Sequence, residues 1–418
     1  MTWLKRAYLD EGLTGRKEYM VLPLENIRVL DLTRAAAGPF ATMILGDLGA
    51  DVVKVEPTPK GDMTRLWGPY DHGIGVYYLS INRNKRCLGV DFRTAEGLET
   101  LRRMAAKADV VVENFKPGTA EDMGLGYDDV KAANPKVIYA SISGLGRTGP
   151  YGSWPGLDQI AQGMSGMMSL TGQPDGEPTR YGVPIGDFTA GMWCALAVTA
   201  AVAQRHVTGE GQRVETSLLG ALVGLLSVQG QRYLSNGDVP GRAGNDHPTI
   251  YPYGVFEARD GALNVATARE EHWQRLCAVL GMEALLDDPD YASNTKRMEN
   301  KEKLRDILND RFRTRDAIEW TKDLMEGGVP SGPIYTLDKV FNDPQVIEQG
   351  MVERVQHPTI GALDLLANPM KMDAFEGRSV RRPPPLVGEH NAQVLAEYGF
   401  TAEEIAALQG ANAIGAET

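Results

Sequence analysis

Cysteine is scarce in this chain, and the little present shows no pattern. Cys87, Cys194 and Cys277 stand at unrelated spacings among 418 residues, which excludes a disulfide framework and a Cys-based metal site and suits a reducing compartment. Positive charge is also short. Lys and Arg number 43 against 55 Asp and Glu, a formal charge of −12, which argues against nucleic acid or an anionic membrane as main partner. Long apolar runs are missing: the longest uncharged stretch, 188–204, contains polar residues and falls short of the ~18–20 apolar residues that span a bilayer. Residues 1–20 carry charges throughout and lack the apolar centre of a signal peptide, so they read as an extension outside the fold. Internal repeats are absent. These absences predict a soluble, cytoplasmic protein with no bound metal, no nucleic-acid partner and no membrane partner.

What is present is ordinary globular composition, 43% apolar and 23% charged, in a chain long enough for two domains. From residue 27 short Val/Ile-rich runs alternate with helical patterns: strands at 28–32, GADVVKVE, RCLGVDF, DVVVENF and KVIYASISG, with helices between. Such continuous apolar strands belong to a parallel sheet covered on both faces. A Gly/Pro-rich loop, 144–156, leads to the helix DQIAQGMSGMMSL, and 217–234 reads as one further helix. Near 237–248 the composition shifts to GDVPGRAGNDHP, followed by a hairpin and a charged helical region to about 328. Residues 333–372 read as β again, and a terminal helix covers 392–409. The fold class expected is α/β: a Rossmann-like doubly wound parallel sheet in a large domain, with a smaller α+β domain, and a chain that returns to the large domain at its C-terminus. The expected limits are 1–20 for the extension, 21–235 for the large domain, 245–335 for the small one and 336–418 for the return.

Few chemical motifs survive. The first strand–loop–helix unit ends its second strand in an acid, Glu56, like a dinucleotide site, but LTRAAAGP holds one glycine where the fingerprint needs several. G-x-S-x-G and HExxH are absent, and His247 and His390 stand in polar loops without a nucleophile. NRNKR at 82–86 gathers three cations. With Arg65, Arg93 and Lys116 it suggests cations collected at strand ends for a phosphorylated anion, although a solvated turn would read the same way. One carboxylate stands apart. Asp187, in YGVPIGDFTAG, enters an uncharged helical stretch. It either caps that helix through a backbone N–H or is held out of water as a base or nucleophile. The local sequence favours the cap.

Taken in order, VLDLTRAAAGPFATMILGDLGADVVKVE, GDMTR, NRNKRCLGVDFRTAEG, DVVVENFKPG, GLDQIAQGMSGMMSLTG, VPIGDFTAG, HPTIYPYGVF, GVPSGP and RRPPPLVGEH resemble the family III CoA-transferases, the CaiB/BaiF-like group. The resemblance runs from about residue 24 through nearly the whole chain. It implies that the large domain binds coenzyme A as a thioester substrate, with no tightly bound cofactor, and that Asp187 is the catalytic residue. Its carboxylate attacks the thioester, passes through an anhydride, and carries CoA as an aspartyl thioester. Backbone N–H groups around 186–188 are expected to steady the oxyanions. By motif position the resemblance assigns CoA contacts to Ala36, Ala37, Val90, Asp91, Arg93, Asn114, Phe115, Lys116 and, near the pantetheine, Asp158. It further implies an interlocked homodimer acting on an acyl-CoA and a carboxylic acid.

Two departures from the formyl-CoA transferases stand out: Asp122 replaces their arginine, and GRAGND before His247 lacks their long glycine run. The segment SLTGQPDGEPTR suits members that use succinyl-CoA and dicarboxylates. The 2-methylacyl-CoA racemases share the fold but place a histidine before the acid of a G-H-D turn. Here that residue is Leu157, which cannot accept a proton. An NAD-dependent oxidoreductase is a more distant alternative.

Overall fold

The computed structural model describes residues 21–373 and 378–415; the expected extension at 1–20 lies outside them. Six strands form the main sheet: β1 (Arg28–Asp31), β2 (Asp51–Pro57), β3 (Lys85–Val90), β4 (Val110–Glu113), β5 (Ile138–Ser143) and β6 (Gln212–Ser217). Their spatial order is 3-2-1-4-5-6 and every pairing is parallel. That is the doubly wound arrangement, in which the order reverses between β1 and β4 and leaves a crevice at the carboxyl ends of the strands.

Alternate strand residues feed two cores. Val29, Val52, Val110, Val112 and Ile138 face α1 (Ala37–Asp47), α4 (Ile185–Thr208) and α5 (Leu218–Leu225). Leu30, Val53, Val111 and Leu88 face α2 (Ala95–Ala105), whose Thr94 cap accepts the Gly97 N–H, together with Val394, Leu395 and Tyr398 from the chain's return. Between α2 and α4 lie α3 (Asp158–Met164) and the Gly/Pro-rich loop, and α6 (Ser227–Asn236) follows α5. By length and apolarity α4 resembles a membrane span, yet half of its most apolar window is buried in this protein, against α1 and the sheet. A third core, Phe256, Trp273, Phe312 and Trp320 among others, sits under a three-stranded antiparallel sheet and its helices.

Three local expectations are corrected. Residues 333–372 are not β throughout, because Leu337–Val340 and Pro344–Glu348 are helical, the second capped by Asp343 with Pro344 at its start. The terminal helix is two, Asn391–Glu397 and Ala402–Gly410, divided where Gly399 takes a φ of 81°. The helix expected over 217–234 also breaks, at Ser227, whose φ is 42°.

Candidate active site

Asp187 lies in the first turn of α4, but it does not cap that helix. The N-cap is Pro184, which offers no side-chain acceptor. Asp158, the first residue of α3, does the capping from outside: its Oδ1 accepts the N–H of Gly186 at 2.7 Å and of Asp187 at 3.4 Å. Its Oδ2 accepts from the Gln162 amide at 2.6 Å, and Gln162 in turn accepts the Tyr181 N–H at 2.8 Å. Gly186 has to be glycine for this approach, since a Cβ there would lie 2.9 Å from the Asp158 oxygen. Upstream, Gly144 and Gly156 touch backbone to backbone, a Cβ on Gly144 falling 2.4 Å from the Gly156 Cα. That crossing delivers the Gly/Pro-rich loop to Asp158.

The consequence for Asp187 is electrostatic. Its carboxylate accepts no hydrogen bond among the described residues, and the residue is half-buried. Burial, and then the neighbouring Asp158 charge, push its pKa up to about 7. The N–H groups expected to steady an oxyanion are already committed: Gly186 and Asp187 donate to Asp158, and Phe188 donates to the Pro184 carbonyl. This turn therefore presents a bare carboxylate rather than an oxyanion hole.

The start of α1 packs against this turn. Gly191 meets the Ala37 carbonyl, where a Cβ would come within 2.7 Å, and the Phe40 and Phe188 rings lie 4.7 Å apart. The loop before α1 is held from below. Asp31 accepts from the Thr33 N–H and the Thr42 hydroxyl, while Lys54 donates to the Thr33 carbonyl at 2.9 Å. Within the loop Ala35 adopts a φ of 62°, a left-handed conformation costly for a residue with a side chain.

Beside that loop a groove of about 530 Å³ opens at the carboxyl ends of β1–β4. Arg34, Lys60, Asp91, Arg93 and Phe115 line it. Of the residues assigned by resemblance, Asp91 and Arg93 stand there ion-paired to each other at 2.7 Å, and Phe115 lies under the Arg34 guanidinium, 5.0 Å from ring centre. Asn114 binds both the N–H and carbonyl of Arg34, so it shapes the loop. Lys116 is exposed nearby, Ala36 and Ala37 are buried where the loop enters α1, and the Val90 side chain is wholly buried. Asp158 does not line the groove; it belongs with Asp187, whose N–H it accepts. Arg34, Lys60 and Gln162 were not singled out from sequence; Arg34, a cation in the first βα loop, carried the one available signal.

The cation cluster is corrected outright. NRNKR stands at the amino end of β3, away from the groove, and its charges are consumed internally: Arg83 pairs with Asp47, Lys85 with Asp31, and Arg86 with Asp51 and Glu397. Arg65 is buried against Glu56 and the Tyr78 ring. His247 and His390 serve backbone N–H groups of Thr249 and Cys87.

A doubly wound sheet, a groove at its switch point and a half-buried carboxylate in the first turn of α4 coincide with a match to the model of CoA-transferase family III over residues 24–391. The chain belongs to that family. It is 39% identical to succinyl-CoA:glutarate CoA-transferase of Homo sapiens, over 90% of this chain and 86% of that protein. It is 40% identical to succinyl-CoA:mesaconate CoA-transferase of Haloarcula hispanica, over 90% and 96%. Among solved structures, a CAIB/BAIF family protein from Brucella suis superposes with a TM-score of 0.82 at 39% identity, covering 90% of this chain and 99% of that one. This CoA-transferase uses a CoA thioester as substrate, as its family does.

Proposed function

We propose that this CoA-transferase moves CoA from succinyl-CoA to a dicarboxylic acid by covalent chemistry at Asp187. The observation that carries the reading is the bare carboxylate: half-buried, without a hydrogen-bond donor among the described residues, and set in a turn that packs on the start of α1. An Asp187 oxygen attacks the thioester carbonyl, the C–S bond breaks, and CoA leaves as thiolate, giving a mixed anhydride. The thiolate attacks the Asp187 carbonyl, releasing the donor acid and leaving an aspartyl-CoA thioester. The acceptor carboxylate then displaces CoA, and the thiolate returns to the acceptor's acyl carbon, freeing Asp187. No water enters the balance.

The groove supplies the CoA site in this reading. Arg34 and Lys60 in the groove, with the exposed Lys116 nearby, offer the local positive charge that an acidic protein needs to hold phosphates, while Arg93 is paired with Asp91. The dicarboxylate acceptor is supported by the relatives' names, which pair succinyl-CoA with glutarate or mesaconate. A racemase would need a proton acceptor where Leu157 stands. The working unit is a homodimer: α6 has no buried residue and, with α4, exposes Trp193, Leu196, Val228, Tyr233 and Leu234, an apolar face suited to a second copy. The interlocked arrangement and cytoplasmic location complete the proposal.

Hydroxylamine quenching during turnover, followed by peptide mass analysis, tests the mechanism. The expected result is a hydroxamate on Asp187; full activity in Asp187→Ala would overturn it. A screen of glutarate, mesaconate, citramalate and oxalate against succinyl-CoA tests the substrate, with the dicarboxylates longer than oxalate expected to be preferred.

A further inference from the structure

Asp158 poses a problem that helix capping alone does not explain. A cap can be neutral: Ser, Thr or Asn satisfies a first-turn N–H nearly as well as Asp. Here the cap is a carboxylate, supplied by another helix, and it is placed next to the one carboxylate the reaction needs. Two like charges side by side in a poorly solvated turn raise each other's energy. The fold goes to some length to keep them together. Gly186 clears the space, the Gly144–Gly156 crossing sets the approach, and Gln162 ties the second Asp158 oxygen to the Tyr181 N–H.

We propose that Asp158 is a positioning residue that destabilises the free nucleophile. It takes the N–H groups that would otherwise solvate Asp187, and it holds a fixed negative charge beside it. When Asp187 becomes an anhydride or a CoA thioester its charge is gone, and the repulsion goes with it. The covalent states are thereby favoured over the resting carboxylate. The inference rests on Asp187 being the covalent nucleophile. It agrees with the upward displacement of the Asp187 pKa, in which burial is the larger cause and Asp158 the second.

Among the described residues, Asp158 is the one charged side chain that displaces the Asp187 pKa. In α1 the one ionisable side chain is Asp47, at the far end and paired with Arg83. Neither α5 nor the short helix Met167–Leu170 carries an ionisable group, and Asp158 is the one in α3. The α4 residues Arg205 and His206 lie in its last turn. On β5, Tyr139 faces the opposite core. On β6, Arg213 and Glu215 pair with each other, and Arg147 joins them. In the loop leading to α4, Asp175, Glu177 and Arg180 are exposed, and Arg180 donates to the Tyr181 carbonyl.

The double variant D158N/Q162E separates charge from structure. An asparagine Oδ1 still accepts from Gly186, its amide can donate to the new glutamate, and that glutamate still accepts from Tyr181. Every hydrogen bond and the net charge survive, but the charge moves one side chain away from Asp187. With succinyl-CoA and glutarate, the acid limb of kcat/KM should shift downward by up to about one pH unit. The fraction of enzyme trapped by hydroxylamine on Asp187 should fall by up to about tenfold, a one-unit change being a factor of ten. The thermal unfolding midpoint should stay within about 2 °C of wild type, the scale expected for a change below ~1 kcal/mol. An unmoved acid limb with unmoved adduct occupancy would overturn the proposal and leave Asp158 a structural cap. If the wild-type enzyme itself gives no Asp187 adduct, the covalent reading fails first. Asp158→Ala, which also strips the cap, should lose stability as well, and the double variant should recover it.

Discussion

Asp31, fully buried, and Asp187, half-buried, lie on the same face of one sheet, and they are treated in opposite ways. Burial works against ionisation of Asp31, but Lys85, Lys54 and the hydroxyls of Thr33 and Thr42 outweigh it, so its pKa falls below the ordinary value. Among the described residues Asp187 receives no donor and no cation. Burial and Asp158 leave its pKa raised to about 7. Burial alone therefore says little about a buried acid; its partners decide whether it is scaffold or chemistry. Asp31 has four partners and holds the loop before α1. Asp187 has none among the described residues, in a turn that packs on the start of α1.

The comparison breaks most visibly at the nucleophile. Asp187→Ala should lower kcat for transfer on the order of 10³-fold or more, as loss of a covalent nucleophile does, with the circular dichroism spectrum unchanged. The matching change on the other side, Asp31→Asn, should leave activity secondary to stability. It strands Lys85 beside Lys54 in the core and should cost about 3–5 kcal/mol in a denaturant titration.

A finer test uses pH, because the two acids have opposite linkage. Asp31 has a depressed folded pKa, so its contribution is present above about 4 and is lost as pH falls through the folded value. Asp187 has a raised folded pKa. The folded state holds its proton more tightly than the unfolded chain, so stability is lost as pH rises from about 4 through about 7. Asp187→Asn should accordingly stabilise the fold by on the order of 2 kcal/mol at pH 8, after allowance for solvent screening, and by nothing at pH 4. Equal stabilisation at both pH values would show that the Asp187 charge is not the cause. Activity runs the other way: the ionised form attacks, so kcat/KM should climb with pH up to about 7.

The smallest expected effect is Gly186→Ala. Helix propensity alone would favour alanine by up to ~1 kcal/mol, yet the new Cβ would lie 2.9 Å from Asp158 Oδ1 and 3.1 Å from Leu222 Cδ1. Displacing Asp158 should reduce kcat/KM by about 3–10-fold, with a change below about 1 kcal/mol in unfolding. An unchanged rate would mean that Asp158 need not touch this turn.

Much of the fold was legible because parallel strands buried on both faces leave a local mark, continuous Val and Ile between helical periods. Asp187 was legible as an oddity, one acid in an uncharged stretch, although its capping role was misassigned. The cap came from Asp158, and no local pattern links those two positions. The cation cluster misled for a similar reason. Arg83, Lys85 and Arg86 look free in sequence because Asp47, Asp31 and Asp51 arrive from other elements.

The sequence by itself determined the alternation of strands and helices, the family, and which acid to watch. Tertiary structure alone decided which charges are spent and which are available. The reason is physical: strand and helix periodicity is written within a few neighbouring residues, whereas a carboxylate's pKa depends on groups within a few ångströms in space. Asp31 finds its partner Lys85 54 positions along the chain, Asp187 meets Asp158 29 positions away, and one is quenched while the other is left bare.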